Sequence, residues 1–137
     1  MDDFLLYWDG QVNLGDQLAP IIYKWMLNRN GLDATTTPKE ETLQTYKYLA
    51  TIGSIIGLKK GSEIIWGSGI LSDNLLISGV LPNINGYPLD IRAVRGPLTA
   101  GILRRLGFSV PECYGDPGVL LPYIYQPQNI EKNMTFR

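Results

Sequence analysis

A chain of 137 residues has room for one ordinary domain with its own core, and not for two. Its 13 acidic and 12 basic side chains nearly cancel, which argues against a basic face for nucleic acid and against an acidic tail. The one cysteine, Cys113, can form no internal disulfide, and the lack of histidine removes the usual general base and the commonest metal ligand.

The opening Met1-Asp2-Asp3-Phe4-Leu5-Leu6 lacks the positive flank of a secretory leader, and no apolar run is long enough to span a bilayer, so a cytoplasmic location is expected. Phe4 to Trp8 is a short apolar run that predicts a buried strand. After a loop, Leu18, Ile21, Ile22, Trp25 and Met26 recur at helical spacing and put a wide apolar stripe on one face. Asp16 is placed to cap this helix, Pro20 is tolerable in its first turn, and Asn30-Gly31 offers a left-handed stop. Leu32 to Thr37, Tyr46 to Ile52 and Glu63 to Trp66 predict further strands, with one short helical turn over Ile55 to Lys60. Ile70 to Pro88 carries no firm period and reads as loop, with room for one short helix. Asp90 to Val94 predicts a strand, and Leu98, Ile102, Leu103 and Leu106 an amphipathic helix that stops at Gly107. Val110 to Tyr114 reads as strand again, Val119 to Leu121 as a helical turn, and Met134-Thr135-Phe136 as the start of another strand. This alternation predicts an α/β fold: a Rossmann-like parallel sheet with helices on both faces.

In such a sheet, ligands bind outside the carboxyl ends of the strands, where the strand-to-helix loops gather. Here those corners carry Asn13-Leu14-Gly15-Asp16, Gly53-Ser54, Gly67-Ser68-Gly69, Arg95-Gly96-Pro97-Leu98-Thr99 and Gly115-Asp116-Pro117. Each brings glycine to a strand end, which lets backbone approach a ligand closely, although tight turns alone also demand glycine and proline. Pro97 fits the first helical position and makes Gly96 the cap, so the amides of Leu98 and Thr99 are left free. A helix amino end beside the guanidinium of Arg95 suits a carboxylate or phosphate. The competing reading pairs Arg95 with a carboxylate such as Asp116. Asp116 could equally serve an Asx turn, and Ser54 and Ser68 read as turn residues, since no histidine exists to activate them.

Taken in order and at their spacing, Asn-Leu-Gly-Asp-Gln-Leu, Ile-Gly-Ser, Ile-Ile-Trp-Gly-Ser-Gly-Ile, Ala-Val-Arg-Gly-Pro-Leu-Thr-Ala-Gly-Ile-Leu-Arg-Arg-Leu-Gly and Tyr-Gly-Asp-Pro-Gly-Val-Leu-Leu-Pro resemble the amino-terminal half of the polysaccharide pyruvyl transferase family, from Phe4 to about Pro122. The resemblance implies one half of a two-domain, GT-B-like architecture, with a domain over residues 1–122 and a linker leading towards a second domain over 123–137. It implies transfer of pyruvate from phosphoenolpyruvate to a sugar, as a ketal, in exopolysaccharide biosynthesis, with no cofactor. Carried over, it suggests Asn13, Gly15 and Asp16 in one substrate loop, Ser54 in the next, and Gly67, Ser68 and Gly69 in a third. Arg95, Gly96 and Thr99 would meet the donor anion, with Asp116 nearby. The acceptor would be a sugar or a lipid-linked oligosaccharide.

The family continues into a second half that is expected to supply a histidine and further arginines, so these residues alone are expected not to turn over. The face that such a domain would cover is expected to favour self-association. Three rivals stay open: a GT-B-like glycosyltransferase domain using a nucleotide sugar, a non-catalytic module for glycans or anions, and a dinucleotide site. The last is weakened because Ser72 replaces the third glycine of the fingerprint that starts at Gly67, with Asp90 as the acidic partner. No Walker phosphate loop occurs, and a metal would have only Asp9, Asp16 and Asp116 to hold it, so none is expected.

Overall fold

The computed structural model describes residues 4–33, 40–72, 74 and 83–128. Most of the strand expected at Leu32 to Thr37, all of that at Met134 to Phe136, and residues 75–82 of the patternless stretch lie outside this set. In chain order the elements are β1 (Leu5–Leu6), α1 (Leu14–Arg29), α2 (Glu40–Thr45), β2 (Tyr48–Ala50), β3 (Glu63–Trp66), β4 (Leu89–Ala93), α3 (Pro97–Arg105), a 3-10 helix (Pro117–Leu120) and α4 (Leu121–Ile124).

The four strands form one sheet in the order β1-β2-β3-β4, every neighbouring pair parallel. Register places Leu6, Ala50, Ile65 and Ile91 side by side on one face. On that face Ile65 packs with Ala100, Ile102 and Leu103 of α3 and with Ile56, Ile70, Ile84 and Val94. The alternation of a strand turns Trp66 to the other face, where it joins Tyr7 and the stripe of α1, Leu18, Ala19, Ile22 and Met26. Leu120 and Ile124 close this second layer, so packing against α1 continues beyond Pro122. The result is the expected α/β arrangement: an all-parallel, Rossmann-like sheet with helices on both faces.

Several elements differ from the sequence expectation, each for a local reason. The apolar run Phe4 to Trp8 holds its ladder only at Leu5 and Leu6, and Trp8 leaves the sheet to lie 43 % exposed at its rim. α1 begins at Leu14, a turn earlier than its apolar stripe, because Asn13 rather than Asp16 caps it: the Asn13 side chain accepts from the Gly15 N–H at 2.9 Å. Pro20 therefore sits inside the helix, leaving the Asp16 carbonyl without its usual donor. The other end stops as expected, with Gly31 at φ 72°. Residues 55–60 form turns, not helix. The strand expected at Val110 to Tyr114 reduces to a single parallel bridge between Val94 and Tyr114, since Pro111 has no N–H to give a ladder. Among the described residues no helix is long and apolar enough to cross a membrane.

Candidate functional site

The carboxyl edge of the sheet is laced together by hydrogen bonds of the main chain and of two buried hydroxyls. The Gly53 carbonyl accepts from the Gly69 N–H at 2.9 Å and from the Ser68 hydroxyl at 3.0 Å, which in turn accepts from the Ile55 N–H at 3.4 Å. The Arg95 N–H donates to the Ser68 carbonyl at 2.9 Å, and the Ile70 N–H to the Thr99 hydroxyl at 3.3 Å. Val94 is bracketed from the far side, its N–H on the Cys113 carbonyl and its carbonyl under the Gly115 N–H. Corners from distant parts of the chain are thus fixed relative to one another.

They frame an open cavity of about 640 Å³. Asn13, Gly15, Asp16, Ser54, Arg95 and Asp116 all line it, so the rim gathers these expected site residues into one space. Gly67, Ser68, Gly69, Gly96 and Thr99 do not line it; they build its frame. Ser68 is fully buried and spends its hydroxyl on the β2 corner. Thr99 is likewise buried, with its hydroxyl engaged by Ile70. Gly67, at φ 86°, leaves room for Pro117 and for the Gly115 carbonyl, which would lie 2.6 Å from an added Cβ. Gly96 is extended, the conformation a following proline favours, and has no side chain with which to cap α3.

Arg95 is the centre of the arrangement. Its side chain is exposed, and among the described residues it makes neither a hydrogen bond nor an ion pair; the ion pairs seen there are Arg92–Asp90 and Arg104–Glu112. The anticipated alternative, a pairing with Asp116, is not formed. Asp116 instead caps the 3-10 helix, its Oδ1 accepting from the Gly118 N–H at 2.8 Å. The guanidinium lies against Gly69, where an added Cβ would stand 2.6 Å from Cζ and from Nη2. A planar fork of donors, held open on a glycine next to the amino end of α3, is suited to a carboxylate or phosphate.

Asp16, relieved of capping, presents its carboxylate into the cavity next to Gly53 (φ 100°), where an added Cβ would lie 2.8 Å from Oδ1. Sequence reasoning missed the apolar part of the wall: Trp8, Ile52, Ile55, Ile56, Leu58 and Leu71. The signal available for Trp8 was an aromatic at the carboxyl end of a strand run, immediately before Asp9-Gly10. It also missed Glu63, fully buried on β3, whose carboxylate accepts the Gly57 N–H at 3.1 and 3.3 Å. Burial pushes the Glu63 carboxyl up to about 8, against the smaller lowering effect of the Gly57 hydrogen bond. Among the described residues no group of three or more His, Cys, Asp or Glu side chains is placed to hold a metal ion.

Fold and site together define a class: an α/β protein whose parallel sheet opens, at its carboxyl edge, into a cavity with one unpaired guanidinium. No family model matches the chain, nor does any curated protein or solved structure.

Proposed function

We propose that these residues form the Rossmann-like amino-terminal domain of a GT-B-like polysaccharide pyruvyl transferase, which moves pyruvate from phosphoenolpyruvate to a sugar of an exported or cell-surface polysaccharide in the cytoplasm. The observation that carries this reading is the unpaired guanidinium of Arg95 in a cavity shared by the β1, β2 and β4 corners. Phosphoenolpyruvate offers it a carboxylate and a phosphate, either of which matches the fork. In the reaction, two sugar hydroxyl oxygens bond to C2 of the donor and the bond from C2 to the phosphate oxygen breaks. One hydroxyl proton goes to C3, making it a methyl group, and the other leaves with inorganic phosphate. Arg95 would hold the donor and favour departure of the phosphate by meeting its growing charge.

A second reading has an observation of its own. With no histidine in the chain and Glu63 outside the cavity wall, the acids facing the cavity among the described residues are Asp16 and Asp116, neither paired with a base, and a non-catalytic module for glycans or anions needs only the guanidinium of Arg95 and the polar groups of the wall. Calorimetric titration with phosphoenolpyruvate separates the readings. The transferase domain binds it, and Arg95→Ala weakens binding at least roughly ten-fold, the scale of a lost charge-assisted pair. Equal affinity in the variant would reject the role of Arg95. Binding of a nucleotide sugar in place of phosphoenolpyruvate would favour a glycosyltransferase, and binding of an anionic oligosaccharide alone would favour the module.

A further inference from the structure

The loop between β1 and α1 brings a different chemistry to the same cavity. Trp8 is 43 % exposed although it ends the apolar run of β1, and its indole lines the wall instead of joining the core. Gly10 makes that position possible, because an added Cβ there would stand 2.9 Å from Cε2 and 3.1 Å from Cη2 of the ring. An exposed indole held by a glycine is a flat apolar surface presented to a ligand. Beside it in the same wall stand Asn13 and Asp16. Asn13 commits its Oδ1 to the Gly15 N–H, which fixes the amide and leaves its two Nδ2 hydrogens as donors. The Asp16 carboxylate is acceptor-only and has no hydrogen-bond or ion-pair partner among the described residues.

A flat indole, an amide donor and a free carboxylate on one wall match a neutral pyranose. The C–H face of the sugar ring covers the indole and excludes water from it, while a carboxylate takes two vicinal hydroxyls and an amide donates to a third oxygen. An anion is poorly served there, because Asp16 would repel it. Arg95 reaches the same cavity from the β4 corner, so one space offers a guanidinium to the anionic donor and the β1–α1 loop to a hydroxyl-rich ligand. The volume of about 640 Å³ lies well inside the range of roughly 300–1,000 Å³ usual for small-molecule sites, which leaves room for both.

We infer that the β1–α1 loop is the acceptor subsite, taking a single pyranose ring on Trp8 with its vicinal hydroxyls on Asp16. This rests on the transferase reading above. The test uses the whole chain and the methyl glycosides of galactose, glucose and mannose, observed by saturation-transfer NMR with and without phosphoenolpyruvate. At least one glycoside gives transfer concentrated on its ring C–H protons, Trp8→Ala lowers its affinity ten-fold or more, and Trp8→Phe restores most of it. Asp16→Asn weakens the same glycoside. Circular dichroism checks that each variant is folded, and Trp8, outside the buried clusters, is a mild position to change. No transfer in either condition, or transfer unchanged by Trp8→Ala, overturns the subsite. Sugar binding that depends on Trp8 in a protein that ignores phosphoenolpyruvate leaves the subsite standing and removes the transferase reading instead.

Discussion

Arg95 and Gly69 act as a pair, and the pair shows how a backbone position can control a charge. Gly69 is not in the left-handed region, so alanine there costs little in backbone strain. Its methyl group would instead occupy the space of the guanidinium, 2.6 Å from Cζ, and the flexible arginine end would move aside. Gly69→Ala is therefore expected to melt within a few degrees of the parent while binding phosphoenolpyruvate roughly ten-fold more weakly. Thermal denaturation and calorimetry on the same sample check both halves; a loss of stability with unchanged affinity would show that Gly69 serves the frame alone. At this scale the sequence was partly legible. Arg95 could be singled out by its place before Gly96-Pro97, and Asp116 by its place before a proline. The role of Gly69 could not be read, because it depends on where the end of a side chain from another corner comes to rest.

Among the elements, the two long helices were the most readable, since a stripe at helical spacing survives without knowledge of the fold. α3 ends near Gly107 as its pattern requires, and α1 ends at Asn30-Gly31. The strands were less so. β1 is two residues long, and the path of the chain beyond it is decided by packing at the rim, which sends Trp8 out of an apolar run. β3 hides the strongest local conflict, a glutamate where an apolar residue is expected. Folded Glu63 titrates near 8, against an ordinary value of 4.5. Below pH 4.5 both folded and unfolded chains hold the proton. Between 4.5 and 8 the unfolded chain releases it and the folded chain keeps it, so this group makes stability fall as pH rises, by up to about 1.4 kcal/mol per unit, and the effect levels off above 8. Glu63→Gln keeps an acceptor for the Gly57 N–H and removes the titration. Urea denaturation at pH 5 and pH 8 should find the variant gaining on the parent as pH rises. A constant difference between them would place the charge of Glu63 outside the balance.

For the whole molecule, the sheet is the device that gathers the site. Residues as far apart in sequence as Trp8, Gly53, Arg95 and Asp116 meet because parallel strands all end at one edge, and the corners there are tied to each other by main-chain bonds and by the hydroxyls of Ser68 and Thr99. Composition and alternation were enough to anticipate that edge, and the cavity lies at it. Its apolar wall was not foreseeable, since isoleucines of the β2 corner look the same in sequence whether they face a core or a ligand. The central claim is that the free guanidinium of Arg95 receives a donor with two anionic groups, a carboxylate and a phosphate. The most direct measurement is a crystal structure of the chain soaked with phosphoenolpyruvate. Density for the ligand with a carboxylate or phosphate oxygen within hydrogen-bonding distance of the Arg95 guanidinium is the predicted result. Density elsewhere, with Arg95 left free or turned onto Asp116, would contradict it.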